Sequence, residues 1–422
     1  MPDKTVPTPE PHVASFEKLA FGMFMHWGLY SQMGKGEWIQ HIDKIDVREY
    51  EKLKDTFTAA DFDARAIAKL AKDSGMKYIT LTSRHHDGFS LYDTRGLNDF
   101  DAPHSAAKRD LVAEFVEGCR AEGIIPFLYH TTLDWHWEGA STFDLTEEKF
   151  GEYRDYLLAS VETVCKHYGP LGGLWFDGNW SRRNSDWRYD RLYKMIRSYQ
   201  PTALIIDNTG LGEQGKIAHP MVDSVTFEQM EPRHLDRSGH ARYVAAEMCQ
   251  TINGHWGIGR LDFAHRSPGR LIEMLARCRS VGANFLLNVG PTASGAIPPL
   301  ESELMRTVGQ WIGVNREVIY DAKPLAAVRC QGRDFMVANG DKYYYVAYDL
   351  TVTGDAHVTV GTGGTGPRSF KGLNKPIKRV RWLDNGEELT FSQNIEAGLG
   401  TIDFTGYPYG VCLVVRVAEI SF

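Results

Sequence analysis

Apolar residues along this chain gather into eight short runs that each end in polar or aromatic residues. They are FGMFMHWG (21–28), YITLTSR (78–84), IIPFLYH (124–130), GGLWFDG (172–178), LIIDNTG (204–210), SVTFEQ (224–229), RYVAAEM (242–248) and NFLLNVG (284–290). Their length and their β-branched and aromatic content predict buried strands. Helical patterns separate several of them. In ADFDARAIAKLAKDSG (60–75), Ala66, Ile67, Leu70 and Ala71 fall on one stripe and Gly75 supplies a stop. In SPGRLIEMLARCRSVG (267–282), Ser267 can cap, Pro268 suits the first turn and Gly282 ends the helix. Strand, helix and strand in repetition imply a parallel sheet. Between 211 and 223, and between 230 and 241, Gly, Pro and His break any amphipathic pattern. The predicted fold is therefore an irregular (β/α)8 TIM-like barrel.

After Pro324 the pattern changes to alternating strands with Asn-Gly turns at Asn339-Gly340 and Asn385-Gly386. This predicts a C-terminal antiparallel β-sandwich over 324–422, behind a barrel spanning 1–323. GTGGTG (361–366) follows a strand-like VTV and opens no helix, so it reads as a hairpin loop and not as a nucleotide cradle.

Composition narrows the classes. Hydrophobic residues make up 43% and charged residues 24%, enough for a large core, and a net charge of −7 without a basic stripe argues against nucleic acid. No run is long and apolar enough to span a membrane. The proline-rich N-terminus does not read as a signal peptide, and six cysteines without a CxxC pair suit reduced thiols. A cytoplasmic protein is expected, or a secreted or periplasmic one if a leader has been removed. A homo-oligomer is a common outcome at this size, but no surface patch marks one.

In a parallel barrel the active site lies at the carboxyl ends of the strands. There the runs place His26-Trp27, His85-His86-Asp87, Tyr129-His130, Trp175-Phe176-Asp177 and Glu228. Histidines that take hydroxyls, aromatic rings that lie against apolar sugar faces and at least two carboxyls suit a carbohydrate. Glycosidic cleavage needs one ionised and one protonated carboxyl, and Asp177 with Glu228 form the evident pair.

The segments FGMFMHWGLYS, GEW, SRHHDGF, WFDG, TFEQ and LLNVGP, in this order over about residues 16–320, resemble the signature of glycoside hydrolase family 29 α-L-fucosidases. The resemblance implies an exo-acting retaining enzyme that removes terminal α-L-fucose from a fucosylated glycan without a cofactor or metal. It implies Asp177 as nucleophile. His26, His85, His86, Glu37 and Trp38 would bind fucose hydroxyls, Tyr129 would approach the nucleophile with Trp175 beside it, and Trp256 would sit near the sugar's methyl group. Glu228 matches the acid/base position. Glu247 is the alternative, with Glu213 and Glu231 weaker; if structural, Glu247 would pair with an arginine such as Arg242 or Arg260. Where many relatives carry a sugar-binding Arg after strand five, this chain has Asp207-Asn208-Thr209-Gly210, so Arg233 or Arg237 would take that role or it is absent.

Two other classes compete. His26, His85, His86 and Asp177 could hold a metal in a water-activating hydrolase, although adjacent histidines on a strand would point to opposite faces. A non-catalytic fucose-binding protein would have no need of Asp177.

Overall fold

The computed structural model describes residues 5–139, 141–353, 357 and 364–422. Eight parallel strands close a barrel in chain order: β1 (Phe21–Met25), β2 (Tyr78–Arg84), β3 (Ile125–Thr131), β4 (Gly173–Asp177), β5 (Leu204–Asp207), β6 (Ser224–Glu228), β7 (Ala245–Thr251) and β8 (Asn284–Val289). Pairing runs from Gly22 opposite Tyr78 round to Phe285 opposite Phe21, with a register shift between β2 and β3 at Thr82–Arg84. All eight apolar runs therefore became strands. β7 lies three residues later than its run, because Arg242 and Tyr243 stay outside: Arg242 reaches Asp223 and Glu10, and Tyr243 reaches Glu17.

The barrel interior is packed, not hollow. Phe24, Tyr78, Phe127, Trp175, Leu204, Ile206, Ala245, Cys249 and Leu286 share one core with Val13 and Phe16 of the helix Pro11–Glu17. Phe16 meets the rings of Tyr78 and Phe127 at 5.7 and 5.8 Å, so this short helix plugs the barrel opposite the carboxyl ends of the strands. The helix Ala64–Asp73 starts at Asp63, whose carboxylate accepts from Ala66 N, and buries Ala64, Ile67, Ala68, Leu70 and Ala71. Ala66, expected on that stripe, faces solvent. No helix forms within 211–223 or 230–241, and β5 pairs with β6 through only two residue pairs. No helix among the described residues is long and apolar enough to cross a membrane.

Residues group into two compact units, 1–266 with 284–306, and 267–283 with 307–422. The second unit contains two antiparallel sheets, one of five strands (323–324, 335–339, 342–347, 379–382 and 416–421) and one of four (329–330, 366–371, 391–394 and 399–404). Met336, Tyr345, Trp382 and Ile420 from the first share a core with Phe370, Ile402 and Phe404 from the second, as a β-sandwich requires. Gly340 and Gly386 take left-handed φ of 57° and 73° at the expected turns. The expected hairpin loop at 361–366 lies partly outside the described residues; Gly364 and Thr365 lead into the strand Gly366–Lys371.

Candidate active site

The carboxyl ends of the barrel strands surround a cavity of about 510 Å³ lined by His26, Glu37, Trp38, His85, His86, Tyr129, Trp175, Asp177, Glu228 and Trp256. Its size suits a single sugar ring with part of an aglycone. All the sugar-binding candidates and both members of the preferred carboxyl pair are thus brought together.

Asp177 ends β4. Gly178 follows with φ of 101°, and a Cβ there would lie 2.6 Å from the backbone nitrogen of Leu133, so only glycine lets the chain turn at this point. The turn Asn179–Arg182 then brings Trp180 back, and its indole Nε1 donates to Asp177 Oδ1 at 2.9 Å. Asn208 Nδ2 donates to the same oxygen at 3.1 Å, and the Tyr129 hydroxyl donates to Oδ2 at 3.1 Å. Burial pushes the Asp177 carboxyl up, and these donors with the Gly178 backbone oppose it.

Glu228 ends β6 and has, among the described residues, a single side-chain donor, Asn208 Nδ2 at 2.8 Å. Burial, reinforced by the charge of Asp177, pushes its carboxyl up to about 7. With three side-chain donors on one carboxyl and one on the other, the first proton leaves Asp177 and Glu228 keeps its own near neutral pH.

Three imidazoles line the same cavity, and burial holds all three neutral. His26 is lowered to about 3, as is His86, and His85 falls well below its ordinary value. Asn288 donates its Nδ2 to Trp256 O, so its Oδ1 faces His26 Nδ1 at 2.6 Å and the proton sits on that ring nitrogen. Thr131 donates its hydroxyl proton to Leu133 O, so it accepts from His86 Nδ1 at 2.7 Å. In both rings Nε2 is left as a bare acceptor. The 3.5 Å approach of His86 Nε2 to Asp177 Oδ2 is therefore not an ion pair.

His85 and His86 do not sit on a strand. β2 ends at Arg84, the chain turns at His85–Gly88, and the two rings lie 4.2 Å apart in the same cavity. The opposite-face argument against joint ligation consequently fails. Among the described residues, however, no group of three or more His, Cys, Asp or Glu side chains is arranged to hold a metal ion.

Glu37 accepts from Gly257 N at 2.8 Å, which ties the segment carrying Trp38 to the one carrying Trp256. Trp38 stacks on Trp180 at 5.9 Å and meets His86 edge-on. Trp256 packs edge-on to Phe24 and against His26.

Glu247 is elsewhere. It lies in the middle of β7, fully buried inside the barrel, accepting from Trp175 Nε1 at 3.0 Å and from the Tyr78 hydroxyl. Neither expected arginine partners it: Arg260 reaches the carbonyls of Gln32 and Met33, and Arg242 the acids named above. Glu213 pairs with Lys216 at the surface and Glu231 is exposed. Arg233 lies over the Phe227 ring and Arg237 over Tyr243, both off the cavity. The arginine that does line it is Arg183, joined by Trp180, Asn208, Leu211, Gln229 and His255. These come from loops without periodicity; only the departure at Asn208 signalled itself in the sequence.

The sequence model of the α-L-fucosidase family, described as "Alpha-L-fucosidase", matches residues 4–317. The α-L-fucosidase isoenzyme 1 of Paenibacillus thiaminolyticus is 31% identical and superposes with a TM-score of 0.81, covering 97% of this chain and 98% of that one. An α-L-fucosidase of Branchiostoma floridae is 25% identical over 88% of this chain and 87% of its own length. A Bacteroides thetaiotaomicron α-L-fucosidase, whose structure was determined as a trapped covalent intermediate, shares the fold at 20% identity with a TM-score of 0.80, covering 100% of this chain and 99% of that one.

Proposed function

Because this chain belongs to the α-L-fucosidase family and is a glycoside hydrolase of that activity, we propose that it removes terminal α-L-fucose with retention, using Asp177 as nucleophile and Glu228 as acid/base. The observation that carries the reading is that one nitrogen, Asn208 Nδ2, bonds both carboxyls. Two oxygens bonded to one nitrogen at 3.1 and 2.8 Å stand no more than about 6 Å from each other. A nucleophile and an acid/base working across one glycosidic bond are spaced in this way, whereas a pair that must admit a water between them is wider.

In the first step the ionised Asp177 attacks the anomeric carbon while Glu228 gives its proton to the departing oxygen, forming a fucosyl ester. In the second, Glu228 takes a proton from water as the water's oxygen displaces Asp177 from the same carbon, and product leaves with its original configuration. The trapped intermediate of the Bacteroides enzyme is in keeping with this course. The bare Nε2 atoms of His26 and His86 accept sugar hydroxyl protons, the second oxygen of Glu37 takes another, and Trp256 covers an apolar edge. The substrate is a terminal fucose on a glycan, since the cavity is a pocket floored by the barrel. A reducing compartment such as the cytoplasm belongs to the same reading, supported by six free thiols, four of them buried.

An NMR time course on an aryl α-L-fucoside tests the reaction: the first fucose released should be the α-anomer. Asp177→Ala should fold and lose several orders of magnitude in turnover, with azide restoring part of it as β-fucosyl azide. Dialysis against a chelator should leave wild-type activity unchanged. Near-normal turnover by Asp177→Ala would remove it as nucleophile, and loss on chelation with recovery on zinc would favour a metal-dependent hydrolase.

A further inference from the structure

The mechanism above needs one carboxyl ionised and its neighbour protonated, yet no cation bonds either of them among the described residues. The titratable groups around the pair are Tyr129 and His86 beside Asp177, Asp207 and Tyr189 behind it, Glu37 toward Glu228, the buried thiol of Cys249, and Arg183 on the cavity wall. Arg183 is half-exposed, with Glu213 4.0 Å away. His86 is neutral, and Asp207 has both oxygens held by Asn179 Nδ2 at 3.0 and 3.1 Å.

Among the described residues, Asn208 alone hydrogen-bonds both carboxyls. Its orientation is determined by chemistry: Gly210 N, which can only donate, faces Asn208 Oδ1 at 3.3 Å, and the Thr226 hydroxyl donates to the same oxygen at 3.0 Å. The other end must then be the NH2 group, and its two protons have two takers, Asp177 Oδ1 and Glu228 Oε2. The amide is saturated at both ends. It is also neutral, so it can serve an ionised and a protonated carboxyl at once, which a guanidinium could not do without ionising both.

We propose that Asn208 is a positioning residue whose single amide ties Asp177 to Glu228, sets their spacing, and sets the pH window in which the two can act together. This rests on the reading of Glu228 as acid/base. Each N–H stabilises the ionised form of its carboxyl, so the amide holds both titrations lower than burial alone would. Thr226, from the neighbouring strand, acts one step further back by fixing which end of the amide faces the pair.

The test is the pH–rate profile of kcat/KM on an aryl α-L-fucoside for wild type, Asn208→Ala, Asn208→Asp, Thr226→Val and Glu228→Gln, with thermal unfolding recorded for each. Asn208→Ala should lose about 10- to 100-fold in kcat, as expected for a lost hydrogen bond to a charged group, with a much smaller change in KM. Both limbs of its bell should move toward alkaline pH, because both carboxyls lose a donor that favours ionisation. Asn208→Asp, which brings a third carboxyl and no N–H, should lose more. Thr226→Val, which touches neither carboxyl, should move both limbs in the same direction by less, and decides the matter if the Asn208 variants do not fold. A uniform loss with both limbs in place, while Glu228→Gln abolishes the basic limb, overturns the proposal. If Glu228→Gln keeps its basic limb, the acid/base reading is the one that has failed, and Asn208→Ala should then move the acid limb alone.

Discussion

Glu228 and Glu247 are both pushed up to about 7 by burial, so their titration does not tell them apart; their partners do. Glu228 opens onto the cavity, while Glu247 spends both oxygens on Tyr78 and Trp175 inside the barrel. Glu228→Ala should therefore depress turnover of sugar-linked fucosides far more than that of dinitrophenyl fucoside, whose leaving group needs no proton, and azide should then yield the α-azide. Glu247→Ala removes the acceptor of the buried Trp175 indole N–H and of the Tyr78 hydroxyl, costing about 1–3 kcal/mol, and should slow all substrates alike. If Glu247→Ala shows the leaving-group dependence and Glu228→Ala does not, the two roles exchange. The pH dependence of stability offers an independent check on Glu247. Its folded carboxyl titrates above its ordinary 4.5, so folding takes up a proton. That contribution is fully present below 4.5 and is lost as pH rises toward 7. Glu247→Gln, neutral throughout, should show a shallower fall in Tm over this window than wild type. A carboxyl within a strand run carries no sign of its depth in sequence, so Glu247 stood as the alternative acid/base. Its place inside the barrel follows from β7 starting three residues after its run, with Arg242 and Tyr243 engaged outside.

At the scale of elements, the strand runs were readable because eight buried strands must each carry a continuous apolar stretch. The connection from β5 to β6 was not readable, since nothing periodic announces what it does. β5 stops at Asp207 and leaves the end of β6 without a strand partner on that side. The segment after Asn208 replaces the missing strand: Gly215 N donates to Thr226 O at 2.9 Å, and the Gln214 side chain takes both polar groups of the Glu228 backbone, accepting from its N–H and donating to its carbonyl at 2.9 Å. Arg233 in turn donates to Gln214 O at 2.8 Å, which gives that arginine a structural task in place of the sugar contact expected of it. Gln214→Ala should leave two backbone groups of Glu228 unpaired, lower stability by about 1–3 kcal/mol, and loosen Glu228, the proposed acid/base. Turnover on poor leaving groups should fall more than on activated ones, while Gln214→Glu, which keeps the acceptor but not the donor, should be intermediate. Equal losses on both substrate types would mean that the clamp supports the fold and not the carboxyl.

At the scale of the whole chain, the change of texture at Pro324 marks where strands begin to alternate, but side-chain partnerships do not respect that point. The helix Pro268–Val281, which reads in sequence as one more barrel helix, groups with the β-sandwich residues. Its Glu273 is bonded by Arg333 at 3.2 Å, and Pro324 lies 3.6 Å from where a Cβ on Gly282 would be. Within the same unit Trp311 buries its ring and donates its indole N–H to Val415 O at 2.8 Å, and Glu317 accepts from Asn339 at 2.9 Å. A chain ended at residue 323 keeps Glu273, Trp311 and Glu317 but deletes every one of these partners. Trp311, buried in the full chain, would lose this cover, at about 1.5–3 kcal/mol for a large side chain. Such a loss is a large fraction of the stability of a domain. The 1–323 fragment should therefore be recovered in much lower soluble yield than the full chain and unfold at lower temperature, even though no described residue after Trp256 lines the cavity. Two variants of the full chain separate packing from catalysis. Arg333→Ala removes two exposed ion pairs, to Glu273 and Asp349, and should cost about 1 kcal/mol, whereas Trp311→Ala should cost about 3–5 kcal/mol, both with kcat on an aryl fucoside unchanged at temperatures where the protein is folded. A soluble 1–323 fragment with full activity and an unaltered Tm would show instead that residues 324–422 add nothing to the stability of what precedes them.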